Sequence, residues 1–120
     1  MTPTSFEFTL TLPGDSRLVD AVRGLTAHAA GYALLADSAR ERLASQVAAE
    51  TQAAMTVAPG PNAPIDLRFT RDDKAITVVI SCEAGASTPP PASDSAGNAL
   101  VEWVTEGSRH VCHIRHQISA

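Results

Sequence analysis

The densest group of chemistry-bearing side chains in this 120-residue chain is His110, Cys112, His113 and His116. Imidazole nitrogen and thiolate sulfur are ligands that zinc takes, four in a structural site and three in a catalytic one. Successive side chains on a strand point to opposite faces, so His110, Cys112 and His116 share one face and His113 takes the other. His110 and Cys112 then stand about 6–7 Å apart, near enough to share an ion, whereas His116 lies about 13 Å beyond Cys112. Two ligands do not close a zinc site. The expectation is polar strand surface with a buried Cys112, and no metal.

Other combinations are thinner. Ser81, His28 and Asp37 supply the residue types of a hydrolytic triad, but no nucleophile elbow or oxyanion loop surrounds them. Mid-helix, His28 reads as a surface residue. Asp72-Asp73 falls where a turn is expected, and turns favour aspartate without any ion. Glu50 lies at the edge of an apolar helical stripe, seven residues after Leu43 and four before Ala54. A carboxylate there either reaches for solvent or is partly buried for a reason. Trp103, the single tryptophan, reads as core beside Val101 and Val104, with a partner anchor as the alternative.

The whole chain, 1–120, is expected to form one domain with one core, large enough to need no disulfide or metal staple. Aromatic residues make up only 4% of it, so the core must rest on Leu, Val, Ile and Ala. A net charge of −4 gives no electrostatic reason to expect nucleic acid or an anionic membrane surface. No apolar run approaches the roughly 20 residues of a membrane span. The Met1–Thr4 start has neither a basic region nor an apolar signal core, so the expected compartment is the cytoplasm. Cys82 and Cys112 are too few for a secreted disulfide framework, and free buried thiols are expected.

Phe6 to Leu12 alternates apolar and polar and predicts a strand, which Pro13-Gly14 ends. Asp15 or Ser16 can cap a helix in which Leu18, Val22, Leu25, Ala29 and Tyr32 form one face to about Leu34. Gly24 and Gly31 weaken it unless another element packs close. A second helix starts near Asp37-Ser38, with Ser38 and Glu41 in capping-box spacing, and runs to about Val57 on Leu43, Val47, Ala54 and Met55. The proline-rich stretch 58–64 is a loop. Ile65–Thr70 and Ala75–Ser81 predict a hairpin across Arg71–Lys74. After a Pro/Ser-rich connector, Leu100–Val104 and Arg109–Ile118 predict a closing pair of strands. The order is β-α-α-β-β-β-β. It implies an α+β two-layer sandwich in which a mostly antiparallel five-stranded sheet carries both helices on one face. The other face, with Asp66, Arg68 and Thr77, would meet solvent.

A strand ending in Leu12-Pro13, two helices, and a hairpin ending in a short glycine-containing segment resemble the GHKL (Bergerat-fold) ATPases. The nearest branch is that of the small serine-protein kinases and anti-sigma factors. The resemblance spans nearly the whole chain in element order and spacing. In that family the second helix carries a Glu-x-x-x-Asn box whose Asn ligates the magnesium on the nucleotide phosphates. The hairpin ends in Asp-x-Gly-x-Gly, whose Asp reads adenine, and a glycine-rich lid closes on the triphosphate.

Carried over, the box glutamate is Glu50 and the asparagine position holds Ala54. Residues four apart share a helix face, but a methyl group cannot ligate magnesium, which takes oxygen. Gln52, two residues away, points elsewhere. The adenine-reading position falls on Cys82, followed by Ala84, or in a one-residue shift on Glu83, followed by Gly85 and Ser87. Neither register restores the motif. The lid shrinks to a loop at 87–99, where Ser95-Ala96-Gly97-Asn98 is a poor remnant of a phosphate cradle.

The resemblance therefore implies a degenerate scaffold that needs no cofactor and acts as a regulatory, protein-binding domain rather than an enzyme. Its partner would be a sigma factor, an anti-sigma antagonist or a second copy of the chain, as a homodimer. The alternatives are an active ATP-binding serine-protein kinase that uses Glu50 with ligands from the 87–99 loop, and an unrelated small α+β interaction domain.

Overall fold

The alternating Phe6–Leu12 segment forms β1, and Pro13-Gly14 ends it. Asp15 then caps a single 3₁₀ turn at Ser16–Leu18 by accepting the Arg17 amide, and α1 (Val19–Tyr32) follows directly. After it come α2 (Asp37–Val57), β2 (Ile65–Arg71), β3 (Ala75–Glu83), β4 (Ala99–Glu106) and β5 (Arg109–Gln117). The computed structural model describes residues 6–32, 37–57, 63–72, 74–84 and 99–117.

The five strands form one sheet in the order β1-β2-β3-β5-β4, with every neighbouring pair antiparallel. The chain is a two-layer α+β domain, as the order of elements predicts. Ile65, Leu67 and Phe69 of β2, Ile76, Val78, Ile80 and Cys82 of β3, and Cys112 and Ile114 of β5 are buried on one face. Period-two alternation puts Asp66, Arg68, Thr77, Val79, Arg109 and His113 on the other. The helix layer adds Val22, Ala29, Ala30, Leu43, Val47 and Ala54 to the same core. Phe69 stacks on Phe8 at 4.7 Å between ring centroids, an arrangement worth about 0.5–1.5 kcal/mol beyond its buried area.

The structure corrects several local expectations. The buried face of α1 takes in Thr26 and Ala30, while Leu18 and Leu25 are only half-buried. Thr26 enters the core because its hydroxyl donates to the Val22 carbonyl at 2.8 Å, which satisfies it within the helix. Among the described residues nothing lies within 4 Å of a Cβ placed on Gly24, so no close-packed neighbour there compensates that glycine. At Gly31 the nearest such atom is Arg40 Nη1, at 3.4 Å. Ser38 stands inside the first turn of α2 rather than before it, because the helix already includes Asp37.

The two hairpins differ in their turns. β2 runs through Arg71, which pairs with Ile76, and Asp72 accepts the Lys74 and Ala75 amides at 2.8 Å each. The Asp72 carboxylate thus organises the turn, and those amides hold its pKa below the usual value. Asp73 is outside the described residues. Gly107, at φ 61°, sits in the left-handed region that the β4–β5 turn requires and that a side chain would disfavour.

Candidate functional site

Among the expected site residues, Glu50 has the most unusual surroundings. It is 2% exposed on the sheet-facing side of α2. The half-buried Trp103 of β4 donates its indole Nε1 hydrogen to Glu50 Oε1 at 3.0 Å. The solvated reading of Glu50 is therefore wrong, and the reason for its burial is a partner 53 residues away. Parity along β4 puts Val101, Trp103 and Thr105 on the face that buries Cys112 and His110, with which Trp103 and Thr105 pair, although Thr105 itself is exposed. Trp103 packs against the core, as expected from its apolar neighbours.

Ala54 is fully buried one turn beyond Glu50, as are Thr51, between them on the helix, and Cys82 on β3. Thr51 donates its hydroxyl to the Val47 carbonyl at 2.7 Å, so it too is satisfied within the helix. Ala84 is 5% exposed, and its amide donates to the Ser108 carbonyl at 2.7 Å, continuing the β3–β5 pairing past the strand end. Glu83 is exposed, and Gln52 likewise points to solvent. Gly85 and the 87–98 part of the expected lid lie outside the described residues.

Cys82 and Cys112 are both free and buried. The register sets Cys82 opposite His110 and Cys112 opposite Ile80, so the two thiols are offset by two residues. Burial raises both thiol pKa values, and at Cys112 the Glu50 charge pushes in the same direction. Both are therefore held as neutral thiols, the unreactive form.

The β5 histidines divide between faces as alternation requires, but the expected polar surface is wrong for two of them. His110 is 1% exposed and His116 is 3% exposed, whereas His113 is exposed on the open face. Cys112 and Ile114 share their parity, and all four side chains are buried on that side of the strand. His110 Nδ1 and Thr105 Oγ1 share a hydrogen bond at 3.0 Å. Among the described residues no group of three or more His, Cys, Asp or Glu side chains is placed to hold a metal ion.

The triad candidates are not brought together. His28 is exposed on α1 and Asp37 pairs with Arg40 on α2, both in the helix layer. Ser81 faces the opposite side of the sheet, where its Oγ accepts from Arg109 at 3.2 Å.

A polar network on the open face was not foreseen. Arg109 Nη2 also donates to Asp66 Oδ2 at 2.9 Å, and Thr11 Oγ1 donates to Asp66 Oδ1 at 2.6 Å. Arg68 pairs with Glu7 across β1 and β2. Together with Val79, Val111 and His113 these strands line a shallow trough of about 590 Å³. The alternation of β1, β2 and β3 was the available signal, since it sends these side chains to one surface. No helix among the described residues is long and apolar enough to cross a membrane. No protein-family model matches the chain, and a search of curated proteins returned no match either.

Proposed function

We propose that the chain is a non-catalytic regulatory domain that binds a protein partner, built on a degenerate histidine kinase-like ATPase scaffold of the anti-sigma type. The observation that carries this reading is the state of Glu50. On such a scaffold this carboxylate would face the nucleotide. Here it is buried and accepts the Trp103 indole hydrogen.

The neighbouring positions support the same reading. The position that would ligate magnesium is the buried methyl of Ala54, and divalent magnesium takes oxygen ligands. The position that would read adenine is either the buried Cys82 thiol or the solvent-facing Glu83. These residues do not fit a magnesium–nucleotide complex, and no catalytic step is assigned to them. The kinase alternative has no observation in its favour. A partner of the sigma-factor or anti-sigma-antagonist kind, or a second copy of the chain, would have the open sheet face available, where Val79 and Val111 are ringed by charged side chains.

Thermal melts with and without magnesium–ATP test the reading. A ligand present at a hundred times its dissociation constant stabilises the folded state by about 2.7 kcal/mol. In a domain of this size that moves the midpoint by several degrees. The expected shift at millimolar nucleotide is zero within error. A shift of several degrees that requires magnesium would overturn the proposal in favour of an ATP-binding kinase.

A further inference from the structure

His116 sits in a cross-strand row whose members follow from the register: Phe6, Arg71, Ile76, His116 and Ala99. The ring is 3% exposed, and its Nδ1 is buried with no hydrogen-bond partner among the described residues. Its immediate neighbours in the row are Ile76 and Ala99, neither of which carries a charge. The next group along, on β2, is the cation Arg71, and the row contains no carboxylate. From α2 the charge that acts on the ring is Arg42, also a cation. Along β5, Arg115 and Gln117 alternate to the opposite face, while Ile114 and Cys112 continue the covered one.

A neutral imidazole can be buried there. An imidazolium would bring two N–H donors and a positive charge to a place where, among the described residues, the charge that acts on the ring is the Arg42 cation. We propose that His116 is an acid-sensitive latch, which keeps the first half of α2 seated on the sheet while its ring is neutral and releases it when the ring takes up a proton. The reading does not depend on the ancestry of the scaffold.

Burial, with Arg42 adding to it, holds the His116 pKa below the ordinary imidazole value of 6.5. The folded protein therefore binds this proton less readily than the unfolded chain. The latch contributes fully above about pH 6.5 and weakens as the pH falls below that value.

Amide hydrogen exchange between pH 5.0 and 7.5, corrected for its intrinsic pH dependence, tests the proposal on the wild type and on His116→Leu. In the wild type the opening equilibrium of residues 39–47 should rise as the pH drops, approaching tenfold per pH unit, relative to β2 and β3 amides. In His116→Leu it should stay flat. An equal rise in both proteins, or no rise in the wild type, overturns the proposal.

If the leucine variant does not fold, the ring itself can be titrated by NMR in the wild type and in Arg42→Gln. The expected midpoint lies below about 6.5 and moves upward when Arg42 loses its charge. A midpoint at or above that value, or one that Arg42→Gln leaves unmoved, refutes the latch.

Discussion

Two histidines on the same strand and the same covered face, His110 and His116, meet opposite treatment. His110, at one end of β5, shares a hydrogen bond with Thr105 and lies next along that face to Cys112, which pairs with Trp103. His116, at the other end, keeps a ring nitrogen with no hydrogen-bond partner among the described residues and has Arg42 as the charge acting on it. Burial is nearly the same at both positions. What differs is whether a partner answers the polar atoms, and that decides which end stabilises the fold and which end makes it sensitive to pH.

The largest effect belongs to the partnered end. Trp103→Ala removes a ring packed against the core together with the indole hydrogen given to Glu50, and should destabilise by about 3 kcal/mol in urea denaturation. Trp103→Phe keeps most of the packing, withdraws only the donor, and should lose about 1–2 kcal/mol. Glu50→Gln should cost less in the Trp103→Phe background than in the wild type, because the two residues act as one unit. If Trp103→Phe behaves as wild type, the indole–carboxylate bond contributes nothing, and the main support for the buried role of Glu50 is lost.

These residues also show where the sequence could be read and where it could not. The strands were legible because Phe6–Leu12 and Ile65–Thr70 alternate without interruption, and the two helices because Val22 and Ala29 in one, and Leu43 and Val47 in the other, recur at helical spacing. Glu50 sits on its helix as expected, yet its burial depends on Trp103, and no local pattern links positions 53 residues apart. For β5 the parity argument gave the correct faces, but the polarity of Arg109–Gln117 suggested the wrong environment for one of them. Ile114 lies between the two histidine positions on the covered side and carried the signal, since a strand that buries Cys112 and Ile114 must also bury His110 and His116. Thr26 and Thr51 were missed for a similar reason. Each satisfies its hydroxyl on its own helix, a solution that hydrophobic periodicity does not register.

A smaller effect separates the two histidines at pH 7.5, where free imidazole is neutral. His110→Leu removes the bond to Thr105 and should destabilise by about 1 kcal/mol. His116→Leu replaces a ring whose Nδ1 has no partner among the described residues with a side chain that needs none, and should be neutral or slightly stabilising. Equal losses at both sites in urea unfolding would mean that His116 is satisfied after all, and the contrast between the ends would disappear.

The smallest effect lies at lower pH and fixes the window in which the histidine contrast can be read. The Arg17 side chain, bonded to Asp15 at 2.7 Å, holds that carboxyl down at about 2. The Lys74 and Ala75 amides likewise lower Asp72. A carboxyl whose pKa is lower in the folded state stabilises above its unfolded value, near 4, and loses that contribution as the pH falls toward the folded value. Both groups lie at the surface, Asp72 exposed and Asp15 half-exposed beside a solvent-facing Arg17, so the screened contribution of each is small. Asp15→Asn and Asp72→Asn should therefore flatten the urea-midpoint profile slightly below pH 4 and leave its slope between pH 5 and 6.5 unchanged. His116→Leu should do the reverse. A carboxyl variant that altered the slope between pH 5 and 6.5 would show that the acid response of this domain is not confined to the His116 end of the sheet.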